Sequence, residues 1–138
     1  MRILGLTGGI GMGKSTAAAV FRRAGLRVFD ADAEVHRLQS PGGAALAQIG
    51  AAFPGTVRRD AQGRQVLDRA ALRTCALARP QALPRLEAIL HPLVRQAERA
   101  FLARARRAGA RLVVLDVPLL FETGLDRLVD TVVVVSAP

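Results

Sequence analysis

The sequence predicts an open, mostly parallel α/β sheet with a helical insertion. Short apolar runs at 2–7, 26–30, 111–116 and 131–135 are typical of strands that are covered on both faces. The first two runs flank a glycine-rich loop and a helical pattern at 14–24, and such a βαβ unit has parallel strands joined by a right-handed crossover. From residue 31 to about residue 108 the pattern is helical, with no convincing strand.

These patterns divide the chain into a sheet core, 1–30 with 109–138, and an insertion, 31–108. Within the insertion we expect helices over about 31–39, 43–51 and 69–77, the last capped by Asp68, whose carboxylate can accept first-turn amide protons. The longest periodic stretch is 81–107, where Pro92 is expected to kink the helix or to open a second one. Its apolar stripe consists of Leu86, Ile89, Leu90, Leu93, Val94, Ala97, Phe101 and Leu102.

Composition narrows the classes of partner. The 138 residues carry 20 basic and 11 acidic side chains, a net charge of +9, which favours phosphate-bearing ligands. The basic residues are scattered, however, so we expect neither a nucleic-acid nor a membrane partner. No apolar run approaches the ~18 residues of a membrane span, no secretory signal is visible, and Cys75 has no partner for a disulfide, so a cytoplasmic location is expected.

A phosphate-binding motif follows the first predicted strand. Residues 8–15 match G-x-x-x-x-G-K-[ST], and Thr16 continues the segment. The expected contacts with ATP phosphates come from Gly8, Gly9, Ile10, Gly11, Met12, Gly13, Lys14, Ser15 and Thr16. Glycines permit close backbone approach, the loop amides and the helix dipole attract anions, and the Ser15 hydroxyl is placed to ligate Mg²⁺. Lys14, the only lysine beside 19 arginines, is expected to reach the β and γ phosphates.

Acidic residues end two of the predicted strands. Asp116 is placed like a carboxylate that holds Mg²⁺ opposite the loop hydroxyl, although it could instead cap the turn toward Pro118. Asp30 and Asp32 lie at the carboxyl end of the second strand, where ligands bind in open α/β sheets. Capping of the following helix is favoured for Asp30, and a general-base role for Asp32, with capping as the alternative.

The remaining polar candidates are less informative. His36 and His91 are the only histidines, and their separation without clustered acids or thiols argues against a metal site. His91 is equally compatible with a ligand contact and with a plain surface position. Glu122 is compatible with a helix surface, and the roles of His36 and Glu122 stay open.

Several segments together resemble the dephospho-CoA kinases, which catalyse the last step of coenzyme A biosynthesis. The segments, which span essentially the whole chain, are LTGGIGMGKST at 6–16, DAD with His36 at 30–36, LDRAALR at 67–73, LEAILHPLV at 86–94 and LDVPLLFETGLD at 115–126. The resemblance implies phosphoryl transfer from ATP to the ribose 3′-hydroxyl of dephospho-CoA, with Asp32 as the base. It implies that the helical insertion receives dephospho-CoA and that His91, Pro118, Leu119 and Phe121 line its site.

Two other functions stay open beside this one. The chain could be another P-loop kinase of a small hydroxyl acceptor, or a non-catalytic ATP-binding fragment. The resembled family continues past residue 138 with an arginine-bearing lid. We therefore expect this chain to bind ATP, to phosphorylate dephospho-CoA poorly or not at all, and to be able to self-associate through an uncovered apolar strand at 131–135.

Overall fold

A computed structural model describes residues 1–8, 13–117 and 129–135. The described chain forms two compact units, residues 1–32 with 98–138 and residues 33–97. In chain order the elements are β1 (Arg2–Gly8), α1 (Lys14–Arg23), β2 (Arg27–Asp30), α2 (Ala31–Leu38), α3 (Leu46–Ala52), β3 (Val57–Arg59), β4 (Gln65–Leu67), α4 (Arg69–Ala78), α5 (Ala82–Arg107), β5 (Leu112–Asp116) and β6 (Thr131–Val135).

The first unit is built on a four-stranded parallel sheet in the order β2-β5-β1-β6. The predicted α/β class and its parallel strands are confirmed. β1 and β2 are parallel as expected but are not neighbours, because β5 lies between them. The apolar runs predicted the strands well, since a strand buried on both faces needs apolar residues at every position. Val113, Val114 and Leu115 of β5 are fully buried.

The sheet face that α1 covers holds a compact apolar cluster. Leu6, Val114 and Ala18 are its buried centre, and Phe21, Leu26 and Val28 pack around it. Phe29, on the next position of β2, instead contacts Phe101 of α5, with 5.5 Å between ring centroids. Side chains alternate between faces along a strand, so neighbouring residues of β2 serve the two different layers.

The second unit contains a β-hairpin that the sequence pattern did not predict. β3 and β4 pair antiparallel, from Val57 opposite Leu67 to Arg59 opposite Gln65. Asp60 sets the turn, because its Oδ1 accepts protons from the amides of Gln62 and Arg64, each at 2.9 Å. The expectation of no strand between 31 and 108 was therefore wrong. Strands of three residues are too short to produce a visible alternation, whereas the turn chemistry of Asp60 and Gly63 was readable.

The helices of the insertion follow the predicted pattern with shifted ends. The predicted helix over 43–51 is observed as Leu46–Ala52. The Asp68 cap on α4 is confirmed, since its carboxylate accepts the Ala71 amide proton at 3.0 Å. Pro92 lies inside a single 26-residue helix and does not open a second one. The periodic stripe of α5 accounts for this, because Leu90, Val94 and Leu102 along it are buried and packing outweighs one missing backbone hydrogen bond.

None of the helices in the described residues has the length and hydropathy needed to cross a membrane.

The start of β6 is fixed to β1 by one acidic residue. Asp130 Oδ2 accepts the Ile3 amide proton at 2.7 Å, and the Asp130 amide donates to the Ile3 carbonyl at 2.7 Å. Ile3 is 5% exposed, so its amide depends on this carboxylate. The reciprocal pair sets the register in which β6 runs beside the end of β1.

We predict that Asp130→Ala lowers the free energy of unfolding by about 1–3 kcal/mol, because the buried Ile3 N–H loses its acceptor. Asp130→Asn keeps an oxygen in place and should cost less. Urea unfolding followed by far-UV circular dichroism measures the change, since the chain has no tryptophan. Equal midpoints for wild type and Asp130→Ala would contradict this account.

Candidate active site

The carboxyl ends of three neighbouring strands bring polar residues together. In the sheet register Asp30 of β2 is opposite Asp116 of β5, and Asp116 is opposite Leu6 of β1. Gly8, which precedes the loop, therefore lies two residues beyond the level of the two aspartates. Asp32 lies in the first turn of α2, which begins directly after β2. The topology thus gathers at one edge the residues that the sequence analysis selected as separate candidates.

Both described ends of the phosphate-binding loop require glycine. Gly13 has φ of 88°, in the left-handed region that other residues avoid. A Cβ on Gly8 would lie 2.6 Å from the Val135 carbonyl oxygen of β6. The central residues of the motif, Gly9, Ile10, Gly11 and Met12, lie outside the described residues.

The amino end of α1 is prepared for an anion. Gly13 precedes the helix without a side-chain cap, and the first turn contains no acidic residue. The first amides of a helix lack partners within the helix, and the helix dipole makes this end positive. Ser15 and Thr16 lie in the same turn and are exposed. A phosphate group could therefore accept hydrogen bonds from this turn.

Lys14 and Asp116 form a close ion pair. Lys14 Nζ lies 2.6 Å from Asp116 Oδ1, with the two side chains 14% and 5% exposed. Apart from this ammonium, Asp116 Oδ1 has no hydrogen-bond partner among the described residues. The pair joins the first residue of α1 to the last residue of β5.

Burial raises the pKa of Asp116 above its ordinary value of 3.8, and the negative charges of Asp30 and Asp32 raise it further. Lys14 opposes both effects, because its hydrogen bond and charge favour the ionised carboxylate. The edge therefore holds three carboxylates whose charges interact and one ammonium, which is paired with Asp116. An added cation would be stabilised here, and removal of Lys14 would leave the acidic charges unbalanced.

Asp32 is the exposed acid of the three. Its carboxylate makes no hydrogen bond or ion pair within the described part of the chain, so no capping contact occupies it. Asp30, in contrast, is engaged by another group. An exposed carboxylate next to a phosphate-binding loop has the chemistry of a proton acceptor.

The other predicted site residues are only partly placed. His91 lies half-buried on α5, within the unit formed by 33–97, and it has an interaction partner. Pro118, Leu119, Phe121 and Glu122 lie outside the described residues. His36 is exposed on α2, and its carbonyl oxygen accepts the Ser40 hydroxyl proton at 2.7 Å.

Sequence reasoning did not select Thr7. This residue is 3% exposed at the end of β1, and its hydroxyl has no hydrogen-bond partner among the described residues. An unsatisfied buried hydroxyl is costly, and a ligand bound at the neighbouring loop could supply the hydrogen bond that the Thr7 hydroxyl lacks. The available signal was a polar residue within an otherwise apolar strand, directly before Gly8.

We predict that Lys14→Met lowers the free energy of unfolding by about 1–3 kcal/mol at about pH 8, because the buried Asp116 charge loses its partner. The loss should be smaller at about pH 5. A carboxyl whose native pKa is raised binds its proton more tightly in the folded chain, so stability declines as pH rises through that pKa.

Urea unfolding at the two pH values measures this effect. The double variant Lys14→Met/Asp116→Asn removes both charges and should recover most of the stability at the higher pH. A loss in Lys14→Met that is independent of pH would contradict the proposed charge balance.

The chain is similar to known proteins over its whole length. The family model described as dephospho-CoA kinase matches residues 2–138. A dephospho-CoA kinase of Paramagnetospirillum magneticum is 62% identical over 138 residues, which are 100% of this chain and 63% of that protein. A dephospho-CoA kinase of Gluconobacter oxydans is 55% identical over the same length, 66% of that protein. The chain thus spans about two thirds of the length of these relatives.

Solved structures share the fold. A structure described as TT1252 from Thermus thermophilus superposes with a TM-score of 0.77 at 39% identity, covering 99% of this chain and 66% of that one. Dephospho-CoA kinase from Campylobacter jejuni gives a TM-score of 0.74 at 23% identity, which shows the likeness of fold alone. The glycine-bounded loop, the Lys14–Asp116 pair and the match along 2–138 lead to one conclusion: the chain belongs to the dephospho-CoA kinase family.

Proposed function

We propose that this chain carries the ATP site and the catalytic base of a kinase that phosphorylates the ribose 3′-hydroxyl of dephospho-CoA. The observation that carries the proposal is the Lys14–Asp116 pair beside the uncapped amino end of α1, in a chain of this family. A cytoplasmic location, where ATP and the acceptor are available, belongs to the same proposal.

Lys14 is the residue proposed to change partner when ATP arrives. Its ammonium neutralises Asp116 in the structure, and a triphosphate at the amino end of α1 would offer it a stronger set of negative oxygens. The first-turn amides of α1 and the backbone between Gly8 and Thr16 would hold the phosphates, because Gly13 brings no capping side chain to that helix end.

The acidic residues at the site suit Mg²⁺. Asp116 offers a buried carboxylate oxygen whose described partner is Lys14 alone, and Ser15 offers an exposed hydroxyl in the first turn of α1. Mg²⁺ at phosphate sites is held by one or two protein ligands together with phosphate oxygens, so these two groups would be enough to hold it beside a bound triphosphate. Bound there, Mg²⁺ would neutralise charge on the phosphate oxygens.

Asp32 is proposed as the general base. Its exposed carboxylate accepts the proton of the 3′-hydroxyl as the hydroxyl oxygen forms its bond to the γ-phosphorus. The bond between the γ-phosphorus and the bridging oxygen breaks at the same time, and ADP leaves with that electron pair. Asp32 is close enough to Asp116 for their charges to interact, which supports the proposal of a base beside the phosphate site.

The acceptor is proposed to bind through the insertion, with His91, Pro118, Leu119 and Phe121 as contacts. These assignments rest on the resemblance of LEAILHPLV and LDVPLLFETGLD to the family's segments. The unit formed by 33–97 contains His91 and is the compact part proposed to receive dephospho-CoA.

We predict that ATP with Mg²⁺ stabilises the chain against heat by roughly 2–3 kcal/mol at about a hundredfold excess over the dissociation constant. Lys14→Ala should remove most of this gain, because the ammonium that meets the phosphates is lost. Thermal unfolding by circular dichroism, with and without nucleotide, makes the comparison. Equal stabilisation of the two proteins would reject the assignment of the phosphate site.

In the longer family protein we predict that Asp32→Asn lowers turnover by about 10²–10⁴-fold with little change in ATP affinity. Asparagine keeps the size of the side chain and a possible helix cap but cannot take the proton. Coupled ADP release with a panel of hydroxyl acceptors measures both rate and substrate choice. Normal turnover with reduced stability would assign Asp32 to capping, and a preference for another acceptor would replace dephospho-CoA as the substrate.

A further inference from the structure

A six-residue pattern occurs twice in the chain. Residues 22–27 are Arg-Arg-Ala-Gly-Leu-Arg and residues 106–111 are Arg-Arg-Ala-Gly-Ala-Arg. In both places the pattern ends a helix and leads into a strand of the sheet. The first copy joins α1 to β2, and the second joins α5 to β5.

The two copies have the same backbone structure. At the first copy the Gly25 amide donates to the Arg22 carbonyl and the Leu26 amide to the Phe21 carbonyl, at 3.0 and 3.1 Å. At the second copy the Gly109 and Ala110 amides donate to the carbonyls of Arg106 and Ala105, both at 3.0 Å. Both glycines have positive φ, 87° and 75°. These bonds define a glycine-terminated helix end of the Schellman type, formed twice.

The topology places the two copies side by side. β2 and β5 are paired neighbours in the parallel sheet, so the turns before them lie at the same edge. β1 is the next strand and begins at Arg2, whose amide donates to the Arg111 carbonyl at 2.8 Å. Neighbouring strands are about 4.8 Å apart. We call this set the arginine edge: Arg2, Arg22, Arg23, Arg27, Arg106, Arg107 and Arg111.

The positive charge of the arginine edge is not neutralised within the described chain. All seven side chains are exposed, and none has an ion pair with a described residue. Asp130 lies at the same edge, but its carboxylate is bound to the Ile3 amide. Last-turn arginines favour the helix C-termini of α1 and α5. That effect does not account for Arg2, Arg27 and Arg111, which lie at or beside the strand starts.

We propose that the arginine edge binds the surface of anionic phospholipid bilayers. A cluster of about 4–8 cations is the size that attaches proteins to anionic leaflets. Met1, 40% exposed beside Arg2, adds an apolar side chain at the same edge. The carboxyl edge with Lys14 and Asp116 is at the opposite end of the strands, so a bilayer bound here leaves the ATP site in solution. The scattered arginines of the sequence predict no membrane partner, but the fold brings seven of them together at this edge.

Nucleic acid is the less favoured partner for three reasons. The described phenylalanines are buried or half-buried, so no exposed ring among them can stack on a base. The arginines lie in the last turns of α1 and α5 and at or beside the strand starts, so they do not form a stripe along one helix or ribbon that could enter a groove. Both helices present carbonyl oxygens here, so the edge lacks the free amides that hold single phosphates. A bilayer surface requires only a dense positive patch.

The test is sedimentation of the chain with vesicles of phosphatidylglycerol and phosphatidylcholine in equal parts, beside vesicles of phosphatidylcholine alone. The test variant changes Arg22, Arg23, Arg106 and Arg107 to Gln. The matched control changes four exposed arginines of the second unit to Gln: Arg58, Arg73, Arg85 and Arg95. Both variants lower the net charge from +9 by four, to +5, so a difference between them reports position and not total charge.

We expect wild type and the control to bind anionic vesicles, with binding that weakens as salt is raised, and the test variant to bind at least about tenfold more weakly. Thermal unfolding verifies that each variant folds. If the fourfold variant does not fold, Arg27→Gln/Arg111→Gln removes two charges without altering a helix end. ATP affinity should be the same with and without vesicles.

Equal binding by the test variant and the control, or no binding of wild type to anionic vesicles, would overturn the proposal. A gel-shift arm with random-sequence duplex DNA separates the other class of partner. Duplex binding that depends on the arginine edge, without vesicle binding, would assign the edge to nucleic acid and reject the bilayer. None of these outcomes depends on kinase activity, so the proposal can fail while the proposed function stands.

Discussion

The parallel pairing of β1 with a strand on each side is the constraint from which the site follows. β1 pairs with β5 along Arg2 to Leu6 and with β6 along Leu4 to Gly8. Because strands pair on both sides of β1, the position of its carboxyl end, where the loop after Gly8 begins, is fixed. β6 lies so close to this end that a Cβ on Gly8 would clash with the Val135 carbonyl oxygen. The sheet therefore requires a glycine at this position, independently of any ligand.

The same pairing decides which charges meet. β5 lies between β1 and β2, so Asp116 at its end lies beside Asp30 of β2 on one side and contacts Lys14 of α1. Its burial is tolerated because Lys14 lies 2.6 Å away, and a buried carboxylate without such a partner would be strongly disfavoured. The ion pair with Asp116 thus holds the Lys14 ammonium at the end of α1 where phosphates are proposed to bind. The structural role of the pair and the proposed ligand-dependent role would use the same ammonium.

The two edges of the sheet differ in charge. The carboxyl edge has the three aspartates and Lys14, while the amino edge has the seven arginines. A parallel sheet with helical connections creates this separation, since every connection starts at one edge and returns to the other. Residues at the same end of neighbouring strands therefore lie close together, however far apart they are in sequence. Arg27 and Arg111 are neighbours for this reason, as are Asp30 and Asp116.

The sequence by itself determined the strands of the sheet, the Asp68 cap and the family, and it predicted the phosphate-binding loop. These depend on local patterns: apolar runs, glycine at fixed spacing, and an acid three residues before a helical amide. Only the tertiary structure decided that β5 separates β1 from β2, that Lys14 contacts Asp116, and that the Thr7 hydroxyl has no partner among the described residues. It also decided the β3–β4 hairpin, whose strands of three residues are too short for a pattern, and the continuity of α5 through Pro92. The strand order, the ion pair and the position of Thr7 share one physical reason: each depends on which distant segments are neighbours, and strand order is set by packing over the whole sheet, which no local window contains.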